Sequence, residues 1–367
     1  MTRPTHVVLA AGGTAGHIEP ALNLADALAE LEPGIEVTVI GGETGLETTL
    51  VPARGYALRT IAAVPMPRKL SIDLITVGPK VGKAKKLSGA ILDELDADVV
   101  VGFGGYAALP AYLATKKRPC GLVIHEANAT AGLANKVAAR FADSVMVSVP
   151  GSLSGTTLAL PLRKAIAHLD RDAMRTTARD YFGFNHTDPV LLVFGGSQGA
   201  QHINAVLADS LQALLAHGIQ VLHAYGTKNQ APEPMPGYVA VTYLDRMDLA
   251  YAAADLGLTR SGAMTVAEVA AVGLPSIFVP LPIGNGEQRL NALPLVEAGG
   301  GLLVENAALT AEWLTSTVVN LVKDRDALQF MSQVAAQHGV RDSATRLAAE
   351  VLRVAQQYQG KKGVTRG

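Results

Sequence analysis

Residues 7–20 read VVLAAGGTAGHIEP, and the fold follows from the way that stretch has to run. Residues 7–11 are an apolar run of strand length, Gly12-Gly13 turn the chain, and Thr14-Ala15-Gly16-His17 come next. Pro20 suits a first helical turn, and Ala21, Leu24, Ala25 and Leu28 then recur at helical spacing. The order is strand, glycine turn, helix. Glycines let a ligand approach the backbone, and the unpaired N–H groups of a helix start attract anions. His17 is expected in the same crevice and is the first candidate for a general base. A histidine that only caps the helix or meets solvent is the other reading that this stretch leaves open.

The same grammar continues. Short β-rich runs at 7–10, 35–40, 57–61, 99–101, 121–124 and 144–147 alternate with helical stretches at 18–32, 45–53, 80–94, 107–115 and 132–141. That alternation predicts a parallel sheet with helices on both faces. Residues 148–164, SVPGSLSGTTLALPLRK, are rich in Ser, Gly, Pro and Thr and read as the end of a domain and a linker. Then the pattern restarts. VLLVFGGSQG at 190–199 repeats the opening of VVLAAGGTAG, and further strands are expected at 220–223, 239–242, 256–259, 276–279 and 301–304. Two such openings predict two Rossmann-like domains. The last helix is expected to end near Tyr358, leaving GKKGVTRG as a disordered tail.

Composition narrows the function. The chain has 367 residues, 49% apolar and 17% charged, so it is a folded protein with room for two domains. A net charge of −1 argues against nucleic acid as a general partner. The one cysteine, Cys120, excludes an intrachain disulfide or a multi-cysteine metal site and fits a reducing compartment. The first apolar run is too short for a signal-peptide core. The longest charge-free runs are interrupted by Gly, Ser and Pro, so membrane contact is expected to be peripheral.

Ligand crevices of open α/β sheets lie past the strand C-terminal ends. Three such ends in the first half carry polar or glycine turns: His17, GGY at 104–106 and HEAN at 125–128. In the second half TRSGAMTVAEV at 259–269 is again strand, turn and helix start, so amides at 261–265 are placed to meet a phosphate. Glu268, two turns in, suits a ribose diol; Gln288 and Asn291 share a helix face, and their amides suit sugar hydroxyls. An N-cap serine, a solvated acid and surface amides are the plainer alternatives. The acid pairs at 96–98, 170–172 and 324–326 read as structural, and no complete phosphate-loop, G-x-S-x-G or H-E-x-x-H pattern occurs. Between 65 and 90, Arg68, Lys69, Lys80, Lys83, Lys85 and Lys86 face one acid, Asp73; Leu70, Leu74, Val77 and Val81 lie on one helical face, and Gly78-Pro79 is expected to break or kink the helix. Residues alone favour a solvated helix whose apolar face joins the core over one lying on an anionic bilayer.

In order along the chain, GGTAGH, GGY, HEANATAGLANK, PLR, GGSQGA, RSGAMTVAE and EQRLNALPL together resemble the MurG family of peptidoglycan N-acetylglucosaminyltransferases. The resemblance implies a GT-B architecture, an α/β chain of two Rossmann-like domains facing a central cleft. It implies an inverting enzyme that moves GlcNAc from UDP-GlcNAc to the C4 hydroxyl of MurNAc in lipid I, giving lipid II. By position, His17 matches the family's proposed base, with Glu126 a second candidate acid or base. Thr14, Ala15 and Gly16 match the loop by donor diphosphate and acceptor, Asn128 an amide at the cleft, and Arg163 the linker arginine near the nucleotide. Ser197 matches a hydroxyl near the diphosphate, and Leu244 the position whose backbone reads uracil. Ala263, Met264 and Thr265 match the phosphate-binding helix start, Glu268 the ribose ligand, and Gln288 and Asn291 the GlcNAc ligands. Leu109 stands where the family often has glycine, residues 159–163 depart from its G-N-P-x-R, and Glu287 replaces one of a glutamine pair.

The implied domains are 1–160, binding acceptor and membrane, and 161–340, binding UDP-GlcNAc, with a helix at about 341–358 packing back on the first and a tail at 359–367. No cofactor and no resident metal are expected. The implied partners are UDP-GlcNAc, lipid I, the anionic cytoplasmic face of the cell membrane, and proteins of wall synthesis and division; family members dock a base-rimmed apolar patch there, which turns the reading of 65–90 toward the membrane. A diacylglycerol glycosyltransferase, a UDP-GlcNAc 2-epimerase of GT-B shape and a non-catalytic wall-synthesis scaffold are the competing functions.

Overall fold

Alternate residues of β1 (His6–Ala11) enter different cores: Val7, Leu9 and Ala11 on one face, Val8 and Ala10 on the other. A strand turns successive side chains to opposite faces, so a strand apolar on both faces needs cover on both. The computed structural model describes residues 3–62, 73–105, 107–196, 199–282 and 286–365. After β1 come α1 (Ala15–Leu31), β2 (Glu36–Gly42), α2 (Glu47–Ala53), β3 (Ala57–Ile61), α3 (Asp73–Glu94), β4 (Val99–Gly104), α4 (Ala108–Thr115), β5 (Gly121–Glu126), α5 (Leu133–Ala138), β6 (Ser144–Val147) and β7 (Thr156–Thr157). The sheet order is β3-β2-β1-β4-β5-β6-β7, all parallel.

The second unit spans Lys164–Arg341. It holds α6 (Lys164–Ala167), α7 (Arg171–Phe182), β8 (Val190–Phe194), α8 (Gln201–Ala216), β9 (Gln220–Ala224), β10 (Tyr238–Val241), α9 (Met247–Ala253), β11 (Leu256–Thr259), α10 (Ala263–Val272), β12 (Ser276–Phe278), α11 (Glu287–Glu297), β13 (Gly301–Leu303), α12 (Ala311–Lys323) and α13 (Arg325–His338). Its parallel sheet runs β10-β9-β8-β11-β12-β13. Leu191 and Val193 of β8 pack with Ile203, Leu207 and Leu214 of α8 and with Leu314 and Val318 of α12. Asp170 and Asp324, from two of the acid pairs, are N-caps whose side chains accept from Ala173 N (3.0 Å) and Ala327 N (2.9 Å).

The chain then returns to the first unit, which comprises Met1–Arg163 and Asp342–Gly367. Helix α14 (Ser343–Thr365) lays Leu347, Ala348, Val351, Val354 and Ala355 on the core that α1 also covers. It continues past Tyr358, where a disordered tail was expected. The reason is Asp98, a fully buried carboxylate at the start of β4. Lys362 Nζ donates to Asp98 Oδ1 at 3.0 Å and to the carbonyls of Asp96 and Ala97, each at 2.8 Å, while Gln359 Nε2 donates to Asp98 Oδ2 at 3.1 Å. Arg3 and the His6 N–H complete the clasp. A buried charge is tolerable only when paired and hydrogen-bonded, so the last turns are held by need.

Two further expectations change. Helix α1 starts at Ala15, not 18, because the Thr14 carbonyl already accepts from His17 N (3.1 Å) and Ile18 N (3.2 Å). Pro20 therefore sits inside the helix, and His17 in its first turn. Helix α3 runs on through Gly78-Pro79. Its Ala84, Ile91 and Leu92 are buried, and half-buried Val81 packs on the same core, so Val81 belongs to the core face and not to a membrane patch. Lys80, Lys83 and Lys86 are exposed, and Leu87 beside them is 45% exposed. Arg68, Lys69, Leu70, Tyr106 and Ser197 lie outside the described residues, as do the side chains of Leu74 and Val77.

Burial opposes ionisation of Asp98, but the hydrogen bonds from Arg3, His6 N–H, Lys362 and Gln359 outweigh it and hold its pKa below the ordinary 3.8. A depressed carboxyl pKa adds stability that is complete above the unfolded value and lost as pH falls through the folded one. A chain ending at Tyr358 removes Gln359 and Lys362 and should cost about 3 kcal/mol, the lower end for breaking a buried pair because Arg3 remains. Denaturant midpoints at pH 7 read this; an unchanged midpoint would show that the last turns do not hold Asp98.

Candidate active site

Both sheets reverse their order at one place, between β1 and β4 in the first unit and between β8 and β11 in the second. Turns at such a switch point splay apart above the sheet and leave room for a ligand.

In the first unit the turns after β1, β4 and β5 meet, since these strands are neighbours. Gly104 and Gly105 both take positive φ, 89° and 92°. A Cβ on Gly105 would collide with the Gly12 carbonyl oxygen, and one on Gly104 would stand 3.5 Å from His17 Nε2 and 3.6 Å from Asn135 Nδ2. Only backbone fits at Gly105, and the positive φ favours glycine at both positions. His17, partly buried in the first turn of α1, has its Nδ1 3.2 Å from Thr14 Oγ1. Burial lowers its pKa from 6.5, and the charge of Glu126 and the Gly12 carbonyl push weakly the other way. A neutral imidazole near pH 7 is the form that can accept a proton.

Glu126 is braced on all sides. Its Oε1 accepts from Asn128 N (3.0 Å), and its Oε2 from Gly132 N (3.0 Å) and Asn135 Nδ2 (2.9 Å). Asn135 Oδ1 accepts from Tyr112 O–H (3.0 Å), and that phenol oxygen accepts from Gly104 N–H (3.0 Å). Tyr112, Asn135 and Glu126 are all buried. The chain thus links the turn beside His17 to the loop after β5, and it casts Glu126 as a brace and a nearby negative charge more than as a proton carrier. On the other side Glu47, also buried, accepts from Gly42 N (2.7 Å) and Gly13 N (3.2 Å) and pins the first glycine turn. Sequence reasoning passed over Glu47, Tyr112 and Asn135. Asn135 stood inside a quoted motif; the other two carried no local signal. His125, stacked on Phe103 with ring centroids 5.7 Å apart, uses Nε2 on the carbonyls of Leu158 (3.1 Å) and Ala159 (3.3 Å), and burial pushes its pKa down to about 4. Its work is on the linker. Arg163 is the last residue of this unit before the chain crosses over.

In the second unit α10 begins at Ala263 after an extended Gly262, and the first in-register helical bond is Val266 N to Gly262 O (3.0 Å). The N–H groups of Ala263, Met264 and Thr265 therefore fall in the first turn, where no earlier helical carbonyl exists to take them. Arg260, buried just before, donates Nη1 to the carbonyls of Val279 (3.0 Å) and Pro280 (3.1 Å), tying the turns after β11 and β12 together. Glu268 is buried on α10 and accepts from Tyr251 O–H at 2.8 Å. On α11 Asn291 is buried, while Gln288 Oε1 accepts from Leu281 N (3.0 Å), so this amide also holds the backbone at Leu281. Leu244 has a buried side chain between β10 and α9.

Residues 7–147 match the glycosyltransferase family 28 N-terminal domain, and residues 190–347 the C-terminal domain of that family. The chain belongs to glycosyltransferase family 28. A protein of Mycobacterium sp. (strain KMS), named UDP-N-acetylglucosamine–N-acetylmuramyl-(pentapeptide) pyrophosphoryl-undecaprenol N-acetylglucosamine transferase, is 57% identical over 366 residues, covering 98% of each chain. A Streptomyces coelicolor protein of the same name is 55% identical over 353 residues, 94% of this chain and 97% of that one. Among solved structures, Acinetobacter baumannii MurG superposes with a TM-score of 0.75 at 28% identity, over 95% of this chain and 100% of that one. The family likeness thus spans both parallel-sheet units. No helix among the described residues is long and apolar enough to cross a membrane.

Proposed function

We propose that this family 28 chain transfers GlcNAc from UDP-GlcNAc to the C4 hydroxyl of MurNAc in lipid I, with inversion at the anomeric carbon. The observation that carries the reading is the 57% identity to a transferase so named, extending over 98% of both chains. The acceptor oxygen forms a bond to the anomeric carbon as the bond to UDP breaks, and the hydroxyl proton passes to a base. His17 is that base, supported by its lowered pKa and its place in the first turn of α1. Thr14, Ala15, Gly16 and Asn128 line the same turns. The departing diphosphate gains negative charge, which the first-turn N–H groups of Ala263, Met264 and Thr265 suit, together with Ser197 and Arg163. Glu268 takes the ribose diol, the backbone at Leu244 the uracil edge, and Gln288 and Asn291 the sugar. The reaction occurs at the cytoplasmic face of the membrane, where the exposed Lys80, Lys83 and Lys86 favour an anionic surface.

His17→Ala should lower kcat by about 10²–10⁴-fold with little change in donor affinity. In the parent chain the acid limb of kcat/KM should lie below 6.5, since protonation of His17 removes the base. Glu126→Gln removes a charge that favours the imidazolium, so the limb should move to lower pH and persist. Parent-like turnover in the alanine variant, or loss of the limb in the glutamine variant, would shift the role away from His17. Replacing Lys80, Lys83 and Lys86 by Glu should abolish binding to anionic vesicles and slow transfer to membrane-embedded lipid I, leaving a short-chain soluble acceptor nearly unaffected. Equal loss on both acceptors would contradict the membrane role.

A further inference from the structure

We infer that Tyr251 is a positioning residue for the donor ribose, acting through Glu268; the inference rests on the ribose role of Glu268 proposed above. Tyr251 lies on α9, with its side chain fully buried, and its O–H donates to Glu268 Oε2 at 2.8 Å. Two contacts fix where that phenol can be. Its ring meets Phe194 edge-on, with centroids 6.2 Å apart and planes at 68°. Phe194 ends β8, immediately before the Gly195-Gly196 turn. The backbone carbonyl of Tyr251 accepts from Arg171 Nε at 3.0 Å, which holds this turn of α9. The ring is therefore held against the end of β8, and its hydroxyl is aimed at a carboxylate on α10.

The physical consequence concerns the carboxylate more than the phenol. The Glu side chain ends in a soft rotor whose terminal torsion is broad. A hydroxyl that donates to one oxygen selects one setting of that rotor, and hydrogen bonds to a charged group are stronger than those between neutral groups. A carboxylate has about four acceptor sites, so an oxygen that accepts from Tyr251 retains capacity for a sugar hydroxyl. A ribose diol arriving at Glu268 meets an acceptor already set, and the cost of ordering it was met in folding. Phenylalanine in place of Tyr251 would keep the ring against Phe194 and remove only the donor. The carboxylate would then lose that restraint, and the 2′-hydroxyl of the ribose would be read less sharply.

The test is calorimetric binding of UDP and of 2′-deoxy-UDP to the full chain, the Glu268→Gln variant, the Tyr251→Phe variant and the double variant, with thermal unfolding of each. The parent should prefer UDP by about tenfold or more, and Glu268→Gln should flatten that ratio. A parent with no preference, or a ratio that survives Glu268→Gln, removes the ribose role of Glu268 and this inference with it. Given a preference that depends on Glu268, Tyr251→Phe should weaken UDP about five- to tenfold, leave 2′-deoxy-UDP unchanged, and add nothing in the Glu268→Gln background. An unchanged ratio, or an equal loss for both nucleotides, overturns the role of Tyr251 while leaving that of Glu268 standing. Should the phenylalanine chain fail to fold, 3,5-difluorotyrosine placed at 251, a stronger donor of the same shape, should raise the ratio; no rise would overturn the inference.

Discussion

The turns that follow β1 and β4 touch through bare backbone. Gly12 offers its carbonyl where a side chain on Gly105 would stand, and a Cβ on Gly104 would meet the His17 ring. Parallel strands bring their C-terminal ends to one edge of a sheet, but turns of ordinary residues could not come this close. Because Gly104 and Gly105 take positive φ, the chain can double back over its neighbour at no steric cost. The rest of the first unit serves that contact. Glu47 ties the first turn from the β2 side, and Tyr112, Asn135 and Glu126 tie the second from below. Buried polar groups of this kind rigidify a site only when each is satisfied, and here the carboxylates of Glu47 and Glu126 are met by two and three donors respectively.

The second unit solves the same problem with different chemistry. There Arg260 joins the turns after β11 and β12 by donating to two carbonyls, and Tyr251 joins the end of β8 to α10. The division fits the reaction proposed. A base must be neutral and fixed, which a half-buried imidazole in the first helical turn beside the glycines provides. A departing diphosphate needs preset positive dipoles, which a helix start provides without a counter-charge to move.

The fold was legible because its signals are local. Apolar strands of five or six residues, glycine pairs after them and helical spacing beyond are all visible within a window of twenty residues. The candidate site was legible as far as its turns, since strand ends locate themselves once strands are found. Its braces were not. Glu47 acts on a glycine 34 positions away, and Tyr112 reaches Asn135 across 23; nothing in the spacing tells such residues from other helix positions. The C-terminal turn failed for the same reason. GKKG has the composition of a tail, and only a buried aspartate 264 positions earlier makes Lys362 part of the fold. The start of α1 was misplaced because Pro20 was taken as a first-turn marker, whereas the Thr14 carbonyl nucleates the helix ahead of it.

The account's central claim is that one chain carries out an inverting transfer between UDP-GlcNAc and a membrane-anchored muramyl acceptor. It is tested most directly by incubating the purified full chain with isotopically labelled UDP-GlcNAc and a lipid I analogue, and solving the linkage of the product by nuclear magnetic resonance. The account predicts one UDP released per GlcNAc transferred, a β linkage to the C4 hydroxyl of MurNAc, and no transfer when that hydroxyl is removed. An α linkage, transfer to another position, or conversion of the labelled donor without acceptor would contradict it.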